Sequence, residues 1–256
     1  MNKTAVITGG SNGLGAFIKS ELKDKGFKVF NLDHAPDTNE PVGSDFHVFC
    51  NVQVKSSVVD ACAHVRNVCI VNNIPLPSIL INNAGVNRIG WLQEFRDADW
   101  EMVMNTNAKG IFLVTKTFLS MLSRKELRKG EGATILNIVS NASHMPMTGS
   151  LAYNASKGAA HIMTLQLARE LTRRNNITVF GISPNKLAGT EMSRYIEERV
   201  PEERGWTPEE ARAYQLAAIP CGVETDPATL AEFITFLLSS KERHRYLSGC
   251  ILPYGA

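Results

Sequence analysis

Short apolar runs alternate along this chain with longer stretches in which apolar positions recur every three or four residues. The first pattern predicts strands at residues 3–8, 28–32, 46–51, 78–81, 133–139 and 178–183. The second predicts helices at 15–25, 55–72, 97–125, 152–174 and 228–239. Gly26 supplies the stop of the first helix, and Gly110 lies inside the third. A polar turn through Pro36 and Pro41 separates the second and third strands. Residues 185–222 are rich in proline and charge and break the alternation, so they read as an excursion of short helices. Residues 249–252 complete the pattern as a candidate last strand.

Strand–helix alternation of this kind implies an α/β protein. Its expected form is a Rossmann-type doubly wound parallel sheet with helices on both faces and right-handed crossovers. No repeat, low-complexity tract or linker interrupts the chain, so residues 1–256 are expected to form a single domain.

Two places on this frame carry chemistry. Tyr153 and Lys157 are four residues apart in a helical segment, so their side chains leave one face one turn apart. A phenol is a poor proton-transfer group near neutrality, and an adjacent ammonium is expected to make it more acidic. The second place is the turn Thr8-Gly9-Gly10-Ser11-Asn12-Gly13-Leu14-Gly15 between the first strand and first helix. Glycines there permit close approach to a pyrophosphate, and the helix N-terminus adds unpaired N–H groups and a positive dipole end. Asp33 ends the second strand, where a carboxylate can accept from both hydroxyls of an adenosine ribose and repel a 2′-phosphate. No Arg or Lys lies in the turn or directly after Asp33; His34 follows instead. NAD is therefore expected over NADP.

Composition narrows the alternatives. The chain has 256 residues with a formal charge of +2, which gives no reason to expect a nucleic-acid partner or a membrane surface. The densest basic stretch, residues 124–129, also carries Glu126 and reads as a solvated helix end. The five cysteines are Cys50, Cys62, Cys69, Cys221 and Cys250, with no CxxC. They predict neither a disulfide framework nor a metal site, and fit reduced thiols in a cytoplasmic protein. No run approaches the ~20 apolar residues of a membrane span. The first strand is expected almost at the start of the sequence, so no signal peptide is expected.

Together these residues resemble the short-chain dehydrogenase/reductase family in its common form of about 250 residues. The likeness covers the whole chain and its motifs arrive in order. The glycine turn matches TGxxxGxG and Asn82-Asn83-Ala84-Gly85 matches NNAG. Asn107 falls where the family has a helix-bending asparagine. Ser140 precedes Tyr153 by the family spacing, and Tyr153-x-x-x-Lys157 completes the set. The resemblance implies hydride transfer between a nicotinamide and a secondary alcohol or carbonyl. It makes Tyr153 the general acid/base. Lys157 would lower the phenol's pKa and bond the nicotinamide ribose, Ser140 would hold the substrate oxygen, and Asn107 a water leading to solvent. Gly9, Ser11, Asn12, Gly13, Leu14, Gly15, Asp33, Asn51, Val52, Asn83, Ala84, Gly85, Tyr153, Lys157, Pro184 and Thr190 would contact the cofactor.

The chain also departs from the family. Asn51-Val52 replaces the usual Asp-Val beside adenine, Pro184-Asn185 replaces Pro-Gly, and the ending is Pro253-Tyr254-Gly255. Asn185 keeps the turn possible because Asn tolerates positive φ. Thr190, in Gly189-Thr190-Glu191-Met192, is the candidate for bonding the carboxamide. His144, Arg88, Met145, Met147, Tyr195 and Trp206 are candidate rim and wall residues, each with an ordinary surface or packing role as the alternative. The segment at about 186–222 is expected to cover the substrate as a lid. The third and fourth long helices, 97–125 and 152–174, are those that pair between subunits in relatives, which implies a homotetramer or homodimer. Within the reaction class, a 3-oxoacyl thioester reductase competes with a sugar, polyol or hydroxy-acid dehydrogenase. Outside it stands a silent cofactor-binding regulator, against which the intact Ser-Tyr-Lys set argues. Length argues against a nucleotide-sugar epimerase, and the Tyr–Lys spacing against an enoyl reductase.

Overall fold

The structure, a computed structural model, describes residues 3–38, 40, 44, 46–122 and 132–255, without the side chains of 241 and 243. The basic stretch 124–129, the end of the segment 97–125 and Pro41 lie outside the described residues.

Seven strands are described: β1 (Thr4–Thr8), β2 (Lys28–Asp33), β3 (His47–Phe49), β4 (Ile79–Asn82), β5 (Ala133–Ile138), β6 (Ile177–Pro184) and β7 (Ile251–Tyr254). They form one sheet in the order β3-β2-β1-β4-β5-β6-β7, every pair parallel. The helices are α1 (Gly13–Asp24), α2 (Lys55–Val71), α3 (Asp97–Met104), α4 (Gly110–Leu122), α5 (Leu151–Asn175), α6 (Glu191–Arg204), α7 (Pro208–Ala217), α8 (Pro227–Ser239) and the single turn α9 (Lys241–His244).

The period-2 geometry of a strand divides these apolar runs between two cores. Val6, Phe30, Leu32, Leu80, Ile135 and Val179 pack with α2, α4 and α5. Ala5, Ile7, Val29, Ile81, Leu136 and Phe180 point the other way, onto α1 and α8. Continuous apolar runs are thus what a sheet covered on both faces requires. Phe30, Phe118 and Phe180 are all completely buried, and truncating any of them to Ala would cost about 3–5 kcal/mol.

Most strand boundaries fall within one residue of the sequence pattern, and two strands depart from it by two. The third strand stops at Phe49 rather than 51, because the Asn51 side chain turns the chain, its Oδ1 accepting the Gln53 N–H at 3.0 Å. The last strand runs Ile251–Tyr254, two residues beyond the expected span. The expected third helix is interrupted. Between α3 and α4 the residues Asn105–Lys109 form a turn of π-helix. Such a turn is rare and gathers at functional sites. The excursion 185–222 contains α6 and α7, the second opened by a full capping box between Thr207 and Glu210.

The strand order reverses at β1/β4, and the loops after β1, β2, β4, β5 and β6 all leave from the carboxyl edge. That crevice is where open α/β sheets bind ligands.

Candidate active site

β5 delivers Ser140, buried at the strand's exit, where its Oγ caps a short 3-10 turn by accepting the Ala142 N–H (3.2 Å). α5 presents Tyr153 and Lys157 one turn apart. The Ser140 hydroxyl lies near enough to the Tyr153 phenol to act on its pKa. Lys157, 4% exposed, donates to the main-chain oxygen of Ile138 at 2.9 Å, with its Nζ 5.7 Å from the Tyr153 ring centroid.

Asn107 reaches the same place from the π turn. Its Oδ1 accepts the Val86 N–H (2.8 Å), while Nδ2 donates to the Val86 oxygen (2.9 Å) and to Ser156 Oγ (3.0 Å). Gly85 marks the meeting point. A Cβ there would lie 3.4 Å from Asn107 Oδ1 and 3.6 Å from Lys157 Nζ. Of the expected set, Asn107 and Lys157 thus meet at Gly85, and Lys157 in turn lies beside Tyr153.

The electrostatics differ from the sequence argument in one respect. Burial pushes the Tyr153 phenol up from its ordinary value, opposed by the nearby Ser140 hydroxyl. Lys157 is pushed down from 10.5 to about 8, again by burial. In the protein alone, desolvation therefore outweighs the ammonium's expected acidifying effect on the phenol.

The turn after β4 is tied to β1. Thr8 Oγ1 accepts the N–H groups of Asn83 and Ala84, each at 3.1 Å, and Asn83 Nδ2 donates to the oxygens of Thr8 (3.0 Å) and Gly9 (2.8 Å). Asn82 crosses to Asn137 Oδ1 at 2.8 Å. Gly15 packs so tightly that a Cβ would run into the Gly9 oxygen. Asn12 starts α1 without a side-chain cap, so the first-turn N–H groups of Gly13, Leu14 and Gly15 have no side-chain acceptor from it.

Asp33 Oδ2 accepts the Ser11 N–H (3.0 Å) and Oδ1 the Ala35 N–H (3.1 Å), which holds the carboxylate at the mouth of the glycine turn. An uncapped helix start for a diphosphate and a fixed carboxylate for a ribose diol fit a dinucleotide. Val52 packs against Gly110, where a Cβ would come 3.0 Å from Val52 Cγ2. Asn51 uses Oδ1 on Gln53.

Across the crevice, Thr190 caps α6 by accepting the Ser193 N–H (3.1 Å), and its Cβ is 3.9 Å from where a Gly13 Cβ would be. Pro184 ends β6. Asn185 does not use positive φ. It works instead through its amide, accepting from Thr225 Oγ1 (2.6 Å) and donating to the Gly255 oxygen (2.6 Å). The altered turn is held by side-chain bonds, which corrects the expectation drawn from asparagine's backbone tolerance.

The rim residues fall into distinct groups. Arg88 is half-buried rather than solvent-facing: it lies over the Tyr195 ring (5.7 Å) and 3.5 Å from Asp99. Arg96, bonded to Asp99, holds that carboxyl below its ordinary range. Tyr195 and Trp206 pack on a small core of Ile89, Val200 and Ala211. His144, Met145 and Met147 are exposed, and His144 and His161 both contact Ser143 Oγ (3.2 and 3.1 Å). Burial raises the Cys50 thiol to about 11, in keeping with unreactive reduced thiols. Ser156, the partner of Asn107, and the polar residues beneath the glycine turn carry no sequence signal of their own.

A parallel sheet reversing at β1/β4, with Ser, Tyr, Lys and Asn at the same carboxyl edge as an uncapped glycine turn, defines an oxidoreductase of the dinucleotide-binding α/β class. The family model for short chain dehydrogenase matches residues 3–201, and the chain belongs to that family. It acts between a carbonyl and a hydroxyl group and uses a nicotinamide cofactor. Acetoacetyl-CoA reductase of Shinella zoogloeoides is 30% identical over 94% of this chain and 92% of its own. The 3-oxoacyl-[acyl-carrier-protein] reductase of Staphylococcus epidermidis is 26% identical over 97% and 96%. Among solved structures, a single-residue variant of actinorhodin polyketide ketoreductase, with NADPH, gives a TM-score of 0.83 at 24% identity, covering 98% of this chain and 95% of that one. The 3-ketoacyl-(acyl-carrier-protein) reductase from Brucella melitensis, complexed with NADH, gives 0.79 at 23%, covering 98% and 96%.

Proposed function

We propose that this chain is an NAD(H)-dependent oxidoreductase of secondary alcohols and carbonyls, with Tyr153 as the general acid/base. The observation that carries the reading is the Ser140–Tyr153–Lys157 cluster at the carboxyl edge of the sheet, with Ser140 and Lys157 buried and Tyr153 half-buried. The nicotinamide, when bound, supplies or accepts the hydride. The protein's part is to handle the proton and orient the substrate. Tyr153 gives its phenolic proton to the carbonyl oxygen in reduction and takes it back from the alcohol in oxidation. Ser140 donates to the same oxygen as charge develops. Lys157 keeps a cation beside the phenolate and would bond the nicotinamide ribose, and Asn107 would hold a water that connects Lys157 to solvent.

Gly9, Ser11, Asn12, Gly13, Leu14 and Gly15 would hold the diphosphate. Asp33 would hold the adenosine ribose, Asn51 and Val52 the adenine, and Asn83, Ala84, Gly85, Pro184 and Thr190 the nicotinamide side. Preference for NAD over NADP follows from Asp33, whose fixed carboxylate would face a 2′-phosphate.

The curated relatives favour one particular substrate class. Both are reductases of 3-oxoacyl thioesters by name, and at 26–30% identity over nearly the full chain they support that second reading. An assay of sugars, polyols, hydroxy acids and 3-oxoacyl thioesters against NAD(H) and NADP(H), followed by absorbance of the reduced cofactor, tests both readings. Absence of turnover with every alcohol and ketone would defeat the first, and failure of the thioesters alone the second.

Residues 186–222 would cover the substrate. In support, α6 reaches the loop after β4: Ile89 N–H donates to Tyr195 Oη (3.1 Å) and Trp91 Nε1 to the Glu203 oxygen (2.8 Å). Homo-oligomer formation is supported by exposed apolar residues on the long helices, among them Phe112 on α4 and Ile162 on α5. None of the described helices is long and apolar enough to cross a membrane, and a cytoplasmic location fits the free thiols.

A further inference from the structure

A polar cluster lies beneath the glycine turn, with Asn31 of β2, fully buried, at its centre. Its Oδ1 accepts the Gly10 N–H at 2.9 Å. Its Nδ2 donates to Asp37 Oδ2 (2.7 Å) and to Ser11 Oγ (3.1 Å), with His47 Nδ1 at 3.3 Å. Asp37, 8% exposed, is ion-paired with Lys19 of α1, 2% exposed. Lys19 also lies 3.9 Å from Glu40, which pairs with Lys23.

Stability gives a weak account of this cluster. Taking an ammonium and a carboxylate out of water is expensive, and apolar replacements of buried pairs are often neutral or stabilising. The cluster does deliver orientation. Asp33 already holds one N–H of the turn (Ser11) and one of its own loop (Ala35). Asn31 bonds the turn with its oxygen and, through Asp37, the same loop with its nitrogen. The fit is close, since a Cβ on Gly10 would come 2.6 Å from Asn31 Oδ1. Two main-chain pieces that must face one adenosine ribose are thus fastened to each other by one amide, and that amide is braced by an ion pair reaching α1.

We propose that Asn31, backed by Asp37 and Lys19, is a positioning residue for the adenosine end of the cofactor, setting the separation between the glycine turn and the Asp33 carboxylate. This rests on the dinucleotide reading above. The test titrates the cofactor-free protein and its variants with ADP-ribose by calorimetry, and measures KM for NAD and kcat separately. Asn31→Leu is expected to lose about tenfold or more in ADP-ribose affinity, as unpaired turn groups relax, and to raise KM for NAD by a similar factor, with kcat at saturating cofactor within about threefold. Asp37→Asn, which keeps an oxygen for Asn31, is expected to lose less than Asn31→Leu. If Asn31→Leu does not fold, Asp37→Ala carries the same test, because it removes Asn31's partner on the loop. A folded Asn31→Leu with ADP-ribose affinity within about twofold of the parent overturns the proposal, as does a loss that falls equally on kcat. A parent protein that does not bind ADP-ribose defeats the dinucleotide reading as well; a parent that binds it as well as its variants do defeats this inference alone.

Discussion

Lys157 Nζ lies 5.7 Å from the Tyr153 ring centroid and donates a hydrogen bond to the Ile138 carbonyl oxygen, 2.9 Å away. The ammonium is anchored by main chain beside the phenol. Its own burial lowers its pKa from 10.5 to about 8. Position and charge are therefore in tension, and the first prediction concerns that tension.

Below about pH 8 the folded protein holds a buried cation that the unfolded chain would keep in water. From about 8 up to the ordinary value of 10.5, the folded state has released a proton that the unfolded state still binds, so this group's contribution to stability rises with pH. Lys157→Met relieves a penalty of up to about 3 kcal/mol at pH 7 and loses one hydrogen bond worth about 1 kcal/mol. The variant should melt no lower than the parent at pH 7, with its advantage shrinking above pH 8, while turnover falls at least about 100-fold. Thermal melts across pH, read beside turnover, check this; a Tm several degrees below the parent at pH 7 would contradict it.

Tyr153→Phe removes the proton donor and leaves the ring. Turnover should fall by about 100-fold or more, with NAD affinity little changed. Retention of activity within about tenfold would take Tyr153 out of the acid/base role. Because burial raises the phenol's pKa, the oxidation rate in the parent should climb with pH as the phenol is deprotonated, and the reduction rate should fall over the same range.

Asn107→Ala would orphan the N–H and C=O of Val86 and take away one of the two partners of the Ser156 hydroxyl, which keeps its bond to the Tyr153 oxygen (2.8 Å). At about 1–3 kcal/mol for a buried polar group left unpaired, the expected loss is about 2–4 kcal/mol of folding stability. Denaturant titration measures it directly, and an unchanged midpoint would refute the structural part of Asn107's role.

Asp33→Ala should weaken NAD binding by about 10- to 100-fold, the worth of one or two hydrogen bonds to a carboxylate, and weaken NADP binding less or improve it. The ratio of the two dissociation constants is the measurement. If that ratio does not move, Asp33 does not set the preference.

Limited proteolysis within 186–222 should slow when cofactor and substrate analogue are bound, as α6 holds Trp91 and Ile89. Equal cleavage rates would count against a cover.

Much of this was legible from the sequence because it rests on local pattern. Apolar runs in β1, β4, β5 and β6 predicted a two-sided sheet, and the cores divide along the strand alternation. The spacing of Tyr153 and Lys157 survived because a helix converts spacing into position. What stayed hidden depends on partners far apart in sequence. Lys19 reads as a surface lysine until Asp37 is seen against it. Asn185 reads as a backbone compromise until Thr225 and Gly255 close on its amide. The end of β3 falls two residues short of the apolar run because Asn51's side chain competes with the strand ladder.

The π turn at Asn105–Lys109 has a further implication. It closes its ring one residue later than an ordinary helix does. Deleting a single residue there would regularise the hydrogen-bond ladder and swing everything on one side of the cut by about 100° relative to the other. The backbone would be smoother, yet the Asn107 amide would lose its aim at Val86. At this point in the chain, a local irregularity is what keeps two halves of a helix in phase with different neighbours.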